Sequence, residues 1–158
     1  MNERNLLHKI FSKINLSKNE REKVIESFTR ATFKKNDFIF KEGKILEHYF
    51  FIEKGFIRSF TFDYHDTEVT TNFYSESEIV IDWTSFMLRL PTQENFQANT
   101  DCVCWRLSYN DFQNLFNSIE GFRESGRARF ANSYYELKKK HLSMISLTAK
   151  DRYLLLLK

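Results

Sequence analysis

The chain has 158 residues, which is enough for one domain with a substantial hydrophobic core, and its composition is that of a globular protein. One proline and four glycines argue against long disordered linkers, and a net charge of +3 permits contact with nucleic acid without arguing for it. No apolar run approaches the length of a membrane span, and the N-terminus lacks the pattern of a signal peptide.

Two helices are predicted at the N-terminus. Apolar residues recur at helical spacing there, which predicts a first helix from about Glu3 to Ile14. Ser17 and Glu20 have the spacing of a capping box, in which each side chain hydrogen-bonds the backbone of the other residue. This pattern predicts the start of a second helix, whose apolar face comprises Val24, Ile25 and Phe28. We expect both helices to pack on a β-structure.

The stretch 33–62 contains short runs of aromatic and β-branched residues, a composition typical of strands. Turns at Gly43 and Gly55 separate these runs, and glycine supplies the positive φ that such turns need. We therefore expect antiparallel strands in a β-region from about Thr32 to Leu107. The first runs are Phe38–Phe40, Tyr49–Ile52 and Phe56–Phe62.

More β-structure is predicted after residue 62. A turn at 63–66 precedes a strand at Glu68–Tyr74. Because side chains alternate between the two faces of a strand, one face is expected to carry Val69, Thr71 and Phe73, and the other Thr70, Asn72 and Tyr74. A short helix at Trp83–Leu88, capped by Asp82, then interrupts the strands. The remaining strands are Ile79–Ile81, Phe96–Ala98 and Cys102–Leu107. Several strands are apolar on both faces, which a β-roll covered on both sides would explain.

Helices are predicted again from Ser108, which has the spacing of an N-cap. A long polar-rich helix follows Gly121, and its apolar residues step by four and three along one stripe. This stripe predicts a dimer interface formed by Phe130, Tyr134, Leu137, His141, Met144 and Ile145. Thr148 is then expected to cap a last, strongly apolar helix that continues to the end of the sequence.

Two segments carry a recognisable pattern: the turn Lys-Glu-Gly at 41–43, and the strand and turn Tyr-Phe-Phe-Ile-Glu-Lys-Gly at 49–55. Together with the order of elements over 16–158, they resemble the β-roll of cyclic-nucleotide-binding domains, above all those of catabolite-activator and FNR-type transcription regulators. The resemblance implies an α+β fold: an antiparallel β-roll (double-stranded β-helix, jelly-roll-like) flanked by N-terminal helices and a long C-terminal dimerisation helix.

The resemblance also implies an organisation of the chain. Residues 1–31 are expected to form the N-terminal helices, 32–118 the β-roll and 119–147 the dimerisation helix. Residues 148–158 would begin a C-terminal helix-turn-helix domain that reads DNA and that is absent from this chain. The expected partners are a second copy of the chain, DNA through that further domain, and an unidentified small-molecule effector.

The resemblance directs attention to the segment that holds a cyclic phosphate inside the roll in nucleotide-binding members. In those members the segment opens with Gly-Glu and closes with an arginine beside a small residue. In this chain Ile81-Asp82 occupies the opening position and Thr92-Gln93 the closing position. Arg89 is the nearest arginine, but it precedes the closing position and is out of register. A buried phosphate needs positive charge. We therefore expect that cyclic AMP and cyclic GMP do not bind in the usual way. Trp83, Phe86 and Trp105 are candidates for lining a pocket for another ligand, or are plain core residues.

Neither the cysteines nor the histidines form a metal-binding motif. Cys102 and Cys104 stand two apart on one strand and lack further cysteines near the N-terminus, so an iron–sulfur role is not expected. The histidines are scattered, and we expect no metal and no cofactor. The thiols are interpreted as buried and unreactive in a reducing cytoplasm.

The sequence thus favours a bacterial transcription regulator over an enzyme. One alternative is a cupin-like metal-dependent enzyme, which would need closely spaced histidines on neighbouring strands. Another is a genuine cyclic-nucleotide sensor domain of a channel or kinase. No membrane partner is expected, and the predicted location is the cytoplasm.

Overall fold

The structure is a computed structural model that describes residues 4–157, apart from the side chain of Leu156. The start that the sequence predicts for the first helix, at Glu3, lies outside the described residues. The chain divides into two compact units, with the boundary between Phe122 and Arg123. Each unit is described by itself.

Apart from strand β1, which is not predicted from the sequence, the elements follow one another in the expected order. Helices α1 and α2 precede eight strands, with α3 inserted between β6 and β7, and α4, α5 and α6 complete the described chain. The helices are α1 Asn5–Phe11, α2 Lys18–Glu26, α3 Trp83–Leu88, α4 Tyr109–Ser118, α5 Glu120–Ser146 and α6 Ala149–Leu156. The strands are β1 Thr29–Phe33, β2 Phe38–Phe40, β3 His48–Lys54, β4 Ile57–Phe62, β5 Glu68–Tyr74, β6 Ile79–Val80, β7 Asn95–Ala98 and β8 Cys102–Ser108.

The strands form two four-stranded sheets, a first sheet in the order β1-β8-β3-β6 and a second sheet in the order β2-β7-β4-β5. The strand pairs recorded in both sheets are antiparallel. In the first sheet Ile52 lies opposite Cys104, and in the second Ser59 lies opposite Phe96. This antiparallel β-roll confirms the predicted fold class.

The central strands of the first sheet, β3 and β8, are largely buried on both faces. Phe51 and Leu107 lie on the face that packs with α1, α2 and α4, whereas Phe50, Ile52 and Cys104 face the interior of the roll. Because neighbouring residues on a strand point to opposite faces, two covered faces require continuous apolar runs. This arrangement accounts for the strands whose sequence is apolar at nearly every position.

Helix α2 begins at the predicted capping box, in which Glu20 N donates to Ser17 Oγ over 3.2 Å and Ser17 N donates to Glu20 Oε2 over 2.8 Å. The helix ends at Glu26, so Phe28 lies beyond it, although its side chain is fully buried against Phe11. Strand β1 starts at Thr29, slightly before the expected boundary of the β-region.

Gly121, on α5, lies against the loop between α1 and α2. A Cβ atom built at this position would lie 2.1 Å from the carbonyl oxygen of Asn15 and 2.9 Å from Cδ2 of Leu16. Alanine ordinarily stabilises a helix by about 1 kcal/mol relative to glycine. Here the overlap with backbone reverses the sign, since overpacking costs about 1–3 kcal/mol.

We therefore expect Gly121→Ala to lower the free energy of unfolding by about 1–2 kcal/mol in a urea titration. Ala131→Gly, at an exposed position of the same helix, gives the effect of helix propensity alone, which is about 1 kcal/mol in favour of alanine. A Gly121→Ala protein as stable as the parent would contradict the close approach to Asn15.

The second unit contains the greater part of α5 and all of α6. Thr148 caps α6, with Asp151 N donating to Thr148 Oγ1 over 3.2 Å and Thr148 N donating to Asp151 Oδ2 over 3.3 Å, as the sequence predicts. Among the described residues, no helix combines the length and the apolar character that crossing a membrane requires.

Candidate ligand site of the β-roll

Helix α3 forms the middle of the segment between β6 and β7, where the sequence places the ligand site. Asp82 caps the helix, its carboxylate accepting a hydrogen bond from Ser85 N over 3.2 Å. On the buried side, Ser85 Oγ accepts from the backbone N–H of Leu46 over 3.0 Å, and Phe86 packs against Tyr49. The helix is thereby fixed to the chain that leads into β3.

Arg89 ends this helix in the left-handed conformation, with φ of 58°. Its Nη1 donates to the carbonyl oxygen of Leu46 over 2.7 Å, and its Nη2 pairs with Glu47. The guanidinium carbon lies 3.9 Å from the centre of the Tyr109 ring. The one arginine near the expected anchor position is thus committed to neighbouring protein groups.

The closing pair of the segment contains no positive charge. Thr92 is buried, and its backbone pairs with that of the loop before β3: Gly43 N donates to Thr92 O over 2.8 Å and Thr92 N donates to Lys44 O over 2.9 Å. The side chain of Gln93 is exposed. These two residues join the segment to the roll through the backbone and do not offer an arginine fork.

Aromatic side chains occupy much of the interior of the roll. Phe50 and Phe96 lie at its centre, and the ring of Phe40 is 5.5 Å from that of Phe50 and 5.3 Å from that of Phe96. Phe33 and Tyr74 pack against these rings from either side, at 5.5 Å and 6.0 Å. The interior is therefore mostly apolar, and a charged guest would need specific polar partners there.

A cluster of polar side chains lies at one end of this interior. The hydroxyl oxygens of Ser59 and Thr71 are 2.8 Å apart, and Thr71 donates to a carboxylate oxygen of Glu94. Burial raises the pKa of Tyr74, although hydrogen bonds with Asn72 and Ser59 oppose the shift. The negative charges of Glu94 and Asp82 act in the same direction as burial. The cluster places the carboxylate of Glu94 beside two hydroxyl groups, and that carboxylate attracts hydrogen-bond donors or cations and repels phosphate.

The strict alternation predicted for β5 is wrong at Thr71. Ser59 pairs with Asn72 and Phe60 with Thr70, so the register shifts at Thr71, which forms a β-bulge. The extra residue turns its hydroxyl toward Ser59, on the side where Tyr74 also lies. Because this contact depends on the bulge, the sequence contained no direct signal for the cluster.

The other pocket candidates lie elsewhere. Phe86 and Trp105 belong to the core between the first sheet and the helices, and Trp83 packs against that core. Trp105 is 3 % exposed, and its Nε1 donates to Glu53 Oε2 over 2.9 Å. Ile81 is also part of this core. These residues take the core positions that the sequence allowed as an alternative.

Both cysteines are buried free thiols whose side chains face the interior of the roll. Burial raises the pKa of Cys102, and it raises the pKa of Cys104 to about 12. Both thiols are therefore protonated at neutral pH and are poor nucleophiles. Within residues 4–157, no three His, Cys, Asp or Glu side chains lie together as the ligands of a metal would.

In the second unit, the residues of the predicted seam are all exposed along α5. On a helix with 100° between residues, they fall within a stripe about 100° wide. The exposed fraction is 65 % for Leu137 and 73 % for Ile145. Such an apolar stripe on a helix is the form that a helix-pairing surface takes.

Residues 30–118, which include all of the roll except Thr29, match the cyclic nucleotide-binding domain family. The chain belongs to this family. No curated protein matches the sequence. The family assignment agrees with the resemblance that the turn motifs carry, and it covers both the interior of the roll and the segment around α3.

Solved structures show the same fold at low sequence identity. The catabolite activator protein of Thermus thermophilus is 18 % identical with a TM-score of 0.72; the match covers 90 % of this chain and 63 % of that protein. The sensor domain of the transcriptional regulator DNR from Pseudomonas aeruginosa is 14 % identical with a TM-score of 0.69, over 86 % of this chain and 91 % of that one.

A third similar structure is a regulatory subunit of a cAMP-independent protein kinase A from Trypanosoma cruzi, bound to guanosine. It is 15 % identical with a TM-score of 0.68, and the match covers 90 % of this chain and 50 % of that one. The chain therefore spans about half to nine-tenths of these proteins. At these identities the likeness shows the fold and leaves the ligand open.

Proposed function

We propose that this chain is the effector and dimerisation region of a bacterial CRP/FNR-type DNA-binding transcription regulator, with a regulatory and not a catalytic role. The observation that carries the proposal is the segment around α3 of a cyclic-nucleotide-binding fold, where Thr92 and Gln93 occupy the closing position and Arg89 is paired with Glu47. The sensor domain of DNR, which has the same fold, belongs to a transcriptional regulator, and this supports the proposed role. The proposed location is the cytoplasm.

The charges around the segment argue against a cyclic phosphate. Gln93 stands where an arginine would be needed, Arg89 is paired with Glu47, and Glu94 lies beside the hydroxyl cluster. Near a protein surface, two like charges 4 Å apart repel each other by about 4 kcal/mol. An anionic ligand beside Glu94 would meet such a repulsion without an opposing cation.

The long helix supports the second part of the proposal. A symmetric dimer through the apolar stripe of α5 would present two copies of a DNA-reading domain, as a two-fold operator requires. That domain would follow residue 158 in the complete protein. An effector in the roll would act only by binding two arrangements of the helix pair with different affinities.

Calorimetric titration with cyclic AMP and cyclic GMP tests the proposal directly. We expect no saturable binding, meaning a dissociation constant weaker than about 1 mM, which corresponds to roughly −4 kcal/mol. Micromolar binding that Arg89→Ala abolishes would contradict the proposal, because it would show that Arg89 leaves Glu47 to hold the phosphate. Arg21→Ala, at a distant arginine that contacts the N-terminal loop, controls for general effects of removing a charge.

The complete natural protein tests the regulatory role. We expect it to shift DNA fragments from its own promoter region in a gel assay, and the shift should weaken as the salt concentration rises. A complete protein that continues into a kinase-binding or channel segment and does not bind DNA would contradict the assignment to transcription regulators.

A further inference from the structure

The outer face of the second sheet, opposite the roll interior, contains an open groove of about 450 Å³. Its lining includes Lys35, Arg58, Phe73, Gln97 and Asn99. The volume falls within the range of roughly 300–1,000 Å³ that small-molecule sites occupy. The groove is separate from the hydroxyl cluster inside the roll, because Arg58 lines the groove whereas Ser59, the next residue of β4, points to the opposite face of the strand.

No carboxylate lines the groove, and the nearby ones are already engaged. Glu68 pairs with Arg58, while Asp101 accepts a hydrogen bond from the backbone N–H of Lys35 over 2.9 Å and pairs with Lys34. The polar groups that line the groove are two cations, a hydroxyl and three carboxamides. Gln97 Nε2 already donates to the carbonyl oxygen of Asn36 over 3.0 Å, so the donors that face an anion are those of Lys35, Arg58 and the Asn36 and Asn99 amides.

Arg58 is held in place and retains free donors. Its Nη2 donates to Gln97 Oε1 over 2.9 Å, its Nη1 contacts Glu68 and Thr70, and its guanidinium carbon lies 4.5 Å from the centre of the Phe60 ring. A guanidinium has about five N–H donors, so these three bonds leave some of them uncommitted. The charge of Arg58 is offset by Glu68, as that of Arg89 is by Glu47, so its remaining N–H groups can orient an anion while Lys35 supplies the positive charge of the groove.

Phe73 gives the groove an aromatic surface. Its side chain is 64 % exposed, and it lies opposite Arg58 in the register of β4 and β5. An exposed aromatic ring beside a cation offers a planar ligand both stacking and charge. We propose that this groove binds a small planar anion, an aromatic ring that carries a phosphate or a carboxylate, with the anion at Arg58 and Lys35 and the ring against Phe73.

The test uses phenyl phosphate and benzoate, with inorganic phosphate and benzyl alcohol as probes that lack the ring or the charge. Binding is followed by NMR through the side-chain amide signals of Gln97 and Asn99. We expect phenyl phosphate or benzoate to shift these signals and to bind at least about tenfold more tightly than either incomplete probe. The two aromatic anions distinguish a phosphate from a carboxylate site.

Two substitutions at exposed side chains should leave the fold intact. Lys35→Glu is expected to weaken the aromatic anion at least about tenfold, and Phe73→Ser should reduce its affinity to that of inorganic phosphate. Lys41→Glu is the matched control, since Lys41 lies over Phe38 on the same face and outside the groove, and it should change affinity less than about twofold. Absence of amide shifts at millimolar probe, equal binding of benzyl alcohol, or equal effects of Lys35→Glu and Lys41→Glu would overturn the proposal.

Discussion

From the proposed pairing through α5, a chain carrying Leu137→Glu and Ile145→Glu is expected to stay a monomer at concentrations where the parent chain is expected to dimerise. Both side chains are more than half exposed on the apolar stripe of α5. Burying such a side chain contributes about 1.5–3 kcal/mol, and each substitution occurs twice in a symmetric pair. The glutamates would also place like charges across the two-fold axis, so we expect the dissociation constant to rise at least about 100-fold.

Sedimentation velocity at micromolar concentration measures this change. Asn132→Glu is the control, because position 132 lies on the opposite side of the helix from Phe130 and Tyr134 and the substitution adds one negative charge to α5 outside the stripe. A monomeric parent, or a control that dissociates as readily as the double variant, would refute pairing through this stripe. Circular dichroism of the double variant establishes that α5 is still helical.

The second large effect is expected from Phe51→Ala. Phe51 is 1 % exposed, and its ring lies 6.2 Å from that of Phe11, 5.8 Å from that of Phe28 and 5.8 Å from that of Tyr49. It therefore joins β3 to the helical layer and to the chain before β1. Removing a buried phenyl ring leaves a cavity and costs about 3–5 kcal/mol, which is a large part of the stability of a typical domain.

Urea unfolding measures this loss, and we expect the midpoint to fall by roughly 1–3 M. Phe73→Ala removes the same ring from an exposed position and should change the free energy of unfolding by less than about 0.5 kcal/mol. Similar losses at the two positions would show that the ring of Phe51 is not part of a tightly packed core.

Local signals in the sequence predicted much of the fold. Ser17, Asp82, Ser108 and Thr148 each begin a helix as expected, because an N-cap side chain needs only the backbone amides two or three residues ahead. Gly43 and Gly55 have φ of 83° and 104°, as the turns between the first strands require. Strand β5 and helix α3 also have the predicted bounds, because the turn and cap signals that begin and end them lie within a few residues.

Contacts between distant parts of the chain determined the rest. The bulge in β5 depends on how it pairs with β4, and it brings Thr71 to Ser59 and Glu94, which are separated widely in sequence. The same holds for Trp105. Both faces of β8 carry apolar side chains, so only the pairing of β8 with its neighbours decides which face of the first sheet Trp105 occupies.

The sequence by itself determined the turns, the helix starts and the absence of an arginine at position 93. Only the tertiary structure decided that Arg89 is paired with Glu47 and that a carboxylate lies beside the buried hydroxyls. The physical reason is the range of the interactions. Caps and turns are satisfied within a few residues, whereas the charge of a site depends on which strands the fold brings together.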